Sequence, residues 1–516
     1  MTNREPPASA LPSTAIVLLA AAAGYLLQSF TYLNHDVSWF LWGAREILHG
    51  AQVGRDIIEP NPPLAWYLSL PPAWVAERTG WALEIVFRLY VLLVATLALI
   101  CMHWRLSRHP AIATPATRLL LVTIASLWLF ILCGRDFGQR EHLATALLLP
   151  YVVGTAIRFG NNDRGGVVEP VAACLLIGLM AGIGVTIKPY FFLIPLLLEG
   201  AILLRWRRLQ TLFRIETWAI LAVAAVYFTH LMIWDRGYID VGMALALPVY
   251  WGFNLPFGDY APRILFQATA LAAILFLHFR GVRSPLSSML GAASLGFLVA
   301  LLLQQKGYTY HAYPASAFAT LAVAALFMTS RASRLASNVL FALLLLLLVL
   351  GGTATAFWWR NFNTVTGSDG RLFTRLIDAI DARPDGYLAI STHPTPGFPM
   401  ALYAKTRWTS RTNSQWFLPA VVALREGRVP MDASLLAFAE EKARSFILHD
   451  LAGKPGIVVL DAGQRRHAIE ASNFDILAFY NEDPAFREIW RNYREAEPIG
   501  RFRIFLRAPE PASPAN

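Results

Sequence analysis

Apolar stretches long enough to cross a bilayer recur along this chain, at residues 15–33, 83–104, 118–134, 142–158, 169–187, 190–204, 216–234, 263–279, 286–303, 312–329 and 336–358. Most approach the ~20 residues a helix needs to span the hydrocarbon layer, so the pattern predicts about eleven transmembrane helices. The 190–204 stretch is short and reads as tilted or partly re-entrant. "LAAAAGY" near the start faintly resembles a signal-peptidase site, but the apolar run continues past it, and we read an uncleaved first helix.

The pattern changes after Phe357. Charge becomes frequent, and the short apolar runs "YLAIST" (387–392), "GIVVLD" (456–461) and "RFRIFLRA" (501–508) read as strands. "FTRLIDAIDA", "PMDASLLAFAEEKARSFILHD" and "PAFREIWRNYRE" carry helical periodicity. The expected organisation is a membrane domain over residues 1–359, with a long outer loop at 35–82, and a soluble α/β domain over 360–516.

Composition agrees with a bilayer as main solvent. The chain has 516 residues, 56% hydrophobic and 15% charged, with mean hydropathy +0.46. Its net charge of +10 comes largely from Arg in short loops between apolar segments, so nucleic acid is not an expected partner. With the N-terminus inside, the inner loops hold Arg105, Arg108 and Arg118; Arg158 and Arg164; Arg205, Arg207, Arg208 and Arg214; Arg280 and Arg283; Arg331 and Arg334. That alternation follows the positive-inside rule and places the 360–516 domain outside the cytoplasmic membrane. Cys101, Cys133 and Cys174 show neither CxxC nor His/Cys ligand spacing and read as apolar fillers.

The outer segments differ in character from the inner ones. "NHDVSWFLWGAREILHGAQVGRDIIEPNPPLAWYL" (34–68) holds Asp36, Glu46, Asp56 and Glu59. Its "SWFLWGAREILHG" suggests an amphipathic helix on the membrane surface with tryptophans at headgroup depth. Asp36 falls at the end of the first apolar helix, and Glu59 precedes prolines that turn the chain back to the membrane. Two carboxylates held there suit a general base and a positioning group, whereas Glu46 and Asp56 read as hydrated charges balancing Arg45 and Arg55.

Cations for a phosphate stand on the same face. Lys188 in "IKPY" and Lys306 in "QQKGYTYH" are the only lysines before residue 360, and both lie at outer helix ends. Tyr308, Tyr310 and His311 accompany Lys306. "GRDFGQREHLA" (134–144) adds Arg135, Asp136, Gln139, Arg140, Glu141 and His142, where either Arg could clamp a phosphate and Glu141 or His142 could orient a substrate. The plainer reading pairs Arg with acid to permit burial. No H-x-x-x-H or H-x-H spacing occurs, so no cofactor is expected and a divalent metal is the lesser reading. "STHPTPGFPMALYAKTRWTSRTNSQW" (391–416) suits sugar stacking or a lid, or equally a surface loop. GxGxxG, Walker A and GxSxG motifs are absent from the soluble domain.

An Asp just after the first helix, then "AREILHG", then "EPNPPLAWY", resembles the GT-C superfamily of membrane glycosyltransferases. The similarity is greatest to the branch with protein O-mannosyltransferases and the lipid A aminoarabinose transferase. Asp36 and Glu59 match that branch's two acidic positions. Asn61 stands where the branch has a basic residue, and His35 and Val37 flank Asp36 without a second acid. The resemblance implies a GT-C-like fold and inverting transfer of sugar from a polyprenyl-phosphate donor to an acceptor hydroxyl at the outer face. The acceptor would be a lipid, glycan or protein. Rival readings are a lipid-linked glycan flippase or transporter, which predicts symmetric halves and charges inside the spans, and a glycan ligase or polymerase.

Overall fold

A computed structural model describes residues 10–160, 169–329, 334–361, 364–470 and 472–509. Arg164 and Arg331, counted above among the inner arginines, lie outside these. All eleven apolar stretches form helices: α1 (Ala10–Ser29), α4 (Leu83–Ser107), α5 (Pro115–Ser126, continued as a π-helix over Leu127–Leu132), α6 (Arg140–Gly160), α7 (Val171–Thr186), α8 (Leu193–Trp206), α9 (Ile215–Ile233), α11 (Phe257–Phe279), α12 (Pro285–Gln304), α13 (Thr309–Thr329) and α14 (Arg334–Asn361). Among the described residues nine are long and apolar enough to span a membrane, while Val171–Thr186 and Ile264–Phe279 are shorter apolar segments. The protein is a polytopic α-helical membrane protein with a small C-terminal α/β region.

Local chemistry sets many of these boundaries. Thr114 caps α5 by accepting the Thr117 N–H at 3.2 Å, with Pro115 as first helical residue. A Ser284/Ser287 capping box opens α12, again followed by Pro. The segments α6 and α13 are almost wholly enclosed by protein, whereas α1, α9 and α14 turn most of their apolar side chains outward, as lipid-facing helices do.

The chain divides into two compact units. Unit 1 comprises residues 1–31, 75–230 and 255–360. Unit 2 comprises 32–74, 231–254 and 361–516, so two segments between membrane helices join the C-terminal region. Unit 2 contains α2 (His35–Leu48), part of α3 (Leu64–Thr79), α10 (Ala244–Val249), α15 (Ser368–Asp381), α16 (Met400–Tyr403), α17 (Leu418–Arg425), α18 (Ala433–Ala452), α19 (Ile476–Asn481) and α20 (Pro484–Trp490). Its sheet has the order β1-β2-β4-β3, from β1 (Tyr387–Ile390), β2 (Ile457–Asp461), β3 (Tyr493–Ile499) and β4 (Phe502–Arg507). The β1–β2 pair is parallel and the other pairs are antiparallel. One apolar core joins Ile58 from the first segment and Ala246, Val249 and Phe253 from the second to Leu388, Val421, Phe446 and Val458.

Three expectations need correction. Helix α1 stops at Ser29, so Asp36 does not end it but sits in the first turn of α2. The α2 tryptophans are not interfacial anchors: Trp39 and Trp42 stack on each other, 5.0 Å between ring centroids, and meet Phe398 inside unit 2. The helical pattern of "PAFREIWRNYRE" ends at Trp490, and residues from Tyr493 form β3 against β4.

Candidate active site

Each unit holds its own set of candidate groups. In unit 2, Asn34 caps α2 by accepting the Asp36 N–H at 2.9 Å. That fixes Asp36 in the first turn, where the helix dipole favours a carboxylate. Its side chain is about one-seventh exposed, and its Oδ1 lies 3.6 Å from His35 Nε2. The His35 ring in turn packs edge-on against His393 at 4.5 Å, and His393 against His467 at 5.3 Å. The C-terminal region thus supplies part of Asp36's surroundings, which no spacing in the sequence revealed.

Glu59 is buried. Trp39 Nε1 donates to its Oε2 at 3.0 Å, while the Asn61 backbone N–H at 3.3 Å and the Asn61 side-chain amide both donate to Oε1. A carboxylate accepting three N–H donors is held in one rotamer. The residue that departs from the family pattern, Asn61, therefore clasps the second acid.

In unit 1, the N-terminal ends of the two most enclosed helices meet. Lys188, buried just after α7, donates to Glu141 Oε1 at 2.5 Å and Gln304 Oε1 at 3.0 Å. His311 Nε2 lies 3.1 Å from the same ammonium, and the Tyr310 ring centroid 5.5 Å from it. Arg140 and Lys306 add positive charge around His311. Six residues proposed from sequence thus share one cluster: Arg140, Glu141, Lys188, Lys306, Tyr310 and His311. Within it Lys188 and Glu141 form a buried ion pair. Lys306 stands between α12 and α13, and burial lowers its pKa to about 7.

The remaining candidates play other parts. Both ring nitrogens of His142 engage backbone: Nδ1 accepts the Gly138 N–H at 3.0 Å, and Nε2 lies 2.8 Å from Leu129 O. Its imidazole ties α6 to the π-helix. Arg135 is partly exposed, with Nε 3.9 Å from Asp136 Oδ1. Asp136 lines an apolar cavity of about 330 Å³ among α11, α12, α13 and α14, together with Gln267, Tyr308 and Tyr313. Tyr308 also packs against Tyr310 and His311, at 5.5 and 5.3 Å, so the cavity adjoins the cation cluster.

Sequence reasoning missed the acid partners of the arginines assigned to the inner face. Buried Arg105 reaches Glu169 and Glu216, each at 2.5 Å, and Arg158 with Tyr151 holds Glu199. These arginines form buried ion pairs, because a guanidinium between packed helices needs a counter-charge. Cys174 Sγ lies 3.6 Å from Glu169 Oε2 within the same group. Within residues 391–416, Phe398, Trp408 and Trp416 are core side chains of unit 2, while His393 and Tyr403 are half-buried.

No protein-family model matches the chain, and no curated protein matches it. Among solved structures it is similar to apo ArnT from Cupriavidus metallidurans, with TM-score 0.49 and 14% identity over 95% of this chain and 97% of that one. It is also similar to the arabinofuranosyltransferase AftD from Mycobacteria, with TM-score 0.42 and 13% identity, covering 96% of this chain and 40% of that one.

Proposed function

We propose that the protein is a membrane glycosyltransferase of GT-C type, moving a sugar from a polyprenyl-phosphate donor to an acceptor hydroxyl outside the cytoplasmic membrane. The observation that carries this reading is the gathering of Lys188, Lys306 and Arg140 around His311, beside an apolar cavity in a membrane-embedded unit. A lipid phosphate needs that pairing of cations with a lipid-filled groove. Arg135 would assist at the cavity mouth, while Asp136, Glu141, Tyr310 and His142 hold the surrounding framework.

Asp36 takes the proton from the acceptor hydroxyl as its oxygen bonds to the anomeric carbon. The bond from that carbon to phosphate breaks on the opposite side, and polyprenyl phosphate leaves with the electron pair. Configuration therefore inverts. The cation cluster stabilises the departing charge, so no general acid is required. Glu59, clasped by Trp39 and Asn61, orients a sugar. No cofactor enters this scheme. The membrane domain is residues 1–359, and the N-terminus is cytoplasmic, with 360–516 and the 35–82 loop extracytoplasmic.

A transfer assay with purified protein and synthetic polyprenyl-phosphate sugars tests the scheme. Asp36→Asn is expected to lose at least ~100-fold in turnover, within the range for a general base, while retaining donor binding. Transfer at the wild-type rate by this variant would sink the central assignment.

A further inference from the structure

Unit 2 holds a cavity of its own, polar and of about 450 Å³, to which the catalytic scheme gives no role. Its walls come from the segment after α2 and the segment after α9, and its polar groups are Gln52, Arg55, Tyr67, Trp234, Asp235 and Arg236. The two segments meet backbone to backbone. Gly54 has φ +86°, and a Cβ there would stand 2.3 Å from the carbonyl of Gly237. The cavity is thus defined by a contact that only glycine permits.

Its chemistry selects a ligand class. Both arginines are already paired with acids beyond the lining: Arg55 Nη2 lies 2.7 Å from Asp56 Oδ2, and Arg236 Nε lies 3.0 Å from Asp240 Oδ2. Tyr67 donates its hydroxyl to the buried Asp235. Guanidinium and amide donors beside the Asp235 carboxylate match vicinal hydroxyls, whereas a phosphate would have to compete with the acids that already hold both arginines. Trp234, 69% exposed on the wall, offers the apolar ring face on which a sugar's C–H face rests. The volume falls within the range of about 300–1,000 Å³ usual for small-ligand sites.

We propose that this cavity is a saccharide-binding subsite for a neutral, hydroxyl-rich sugar unit, separate from the place where transfer occurs. Asp36 and Ile47 stand at opposite ends of α2, eleven residues and therefore roughly 16 Å apart at ~1.5 Å per residue. Ile47 lines the cavity. A sugar held there is a remote unit of a longer glycan, not the residue undergoing transfer, and the assignment is independent of Asp36 acting as base.

Saturation-transfer NMR on the full-length protein in nanodiscs, titrated with neutral methyl glycosides and short neutral oligosaccharides, reads the site directly. Saturable binding of at least one glycoside is expected in wild type and equally in Asp36→Asn. Trp234→Ala is expected to weaken it about fivefold or more, while Trp234→Phe, which keeps an aromatic face, stays within about twofold. Inorganic phosphate at tenfold excess should leave the signal unchanged. The proposal is overturned if no glycoside binds, if Trp234→Ala binds as wild type does, or if phosphate displaces the sugar. Loss in Asp36→Asn with no loss in Trp234→Ala would place the sugar at the other end of α2 and equally end it.

Discussion

Lys306 illustrates how burial tunes one side chain. An ammonium with a pKa of about 7 is half charged near neutrality, where an ordinary lysine is fully charged. Donor KM should therefore rise as pH increases from 6 to 8 and Lys306 loses its proton, by up to about tenfold, the scale of one charge-assisted contact. Lys306→Arg should flatten this profile, because guanidinium does not titrate there. A wild-type KM constant from pH 6 to 8 would remove Lys306 from the phosphate site. A different buried group governs stability. Burial lifts Asp450 in α18 to about 7, against the pull of Ser410 and Arg411. Its native pKa exceeds the unfolded value near 3.9, so the native state retains a proton that the unfolded chain releases. Stability falls as pH rises from about 4 to 7 and stays lowered above that. Asp450→Asn should accordingly raise the melting midpoint of unit 2 at pH 8 by roughly 3–6 °C, with the gain vanishing near pH 4 in thermal scans. At this scale the sequence spoke through scarcity. Two lysines in an arginine-rich chain pointed to a real cluster, but partners far along the chain, such as Glu216 for Arg105, left no local signal.

Among the elements, α2 was legible as a helix and misread as to its surroundings. Its alternation of Trp and charge fits a membrane surface and a protein core equally well, because both ask only for one apolar face. What decided between them was apolar surface supplied by Phe398, some 360 residues later. Trp39→Ala should therefore cost unit 2 about 3–5 kcal/mol, as large core truncations do, seen as earlier hydrogen exchange in β1 and β2. An interfacial anchor would leave that exchange unchanged. The strand β3 escaped for a related reason. "YREAEPI" has six mostly exposed positions and no apolar run of its own, and it becomes a strand by pairing with β4. Apolar length alone foretold the membrane helices, since no other solvent accepts such segments.

The whole molecule adds a constraint that no single helix carries. Unit 2 is one compact body, so its segments at 32–74, 231–254 and 361–516 lie on one side of the bilayer. Counting only the nine long helices would put five crossings between the first two segments and three between the last two. Odd numbers would divide the unit across the membrane. Adding the shorter Val171–Thr186 and Ile264–Phe279 makes six and four, so both must cross as well. Single cysteines replacing exposed Arg55, Arg236 and Glu441 should all react with an impermeant maleimide from the same side of sealed vesicles. Reaction from opposite sides would break the eleven-crossing topology.

Unit 2 also bears on how the protein is made. Ile58, Val249 and Phe253 belong to a core whose other half is encoded after residue 361. At about 5–20 residues per second, the ribosome needs on the order of 10–50 s to pass from residue 254 to the end. Throughout that interval, the apolar side chains of the first two segments lack their partners. Biogenesis thus requires that a chaperone or a membrane surface shelter these segments until the last strand emerges.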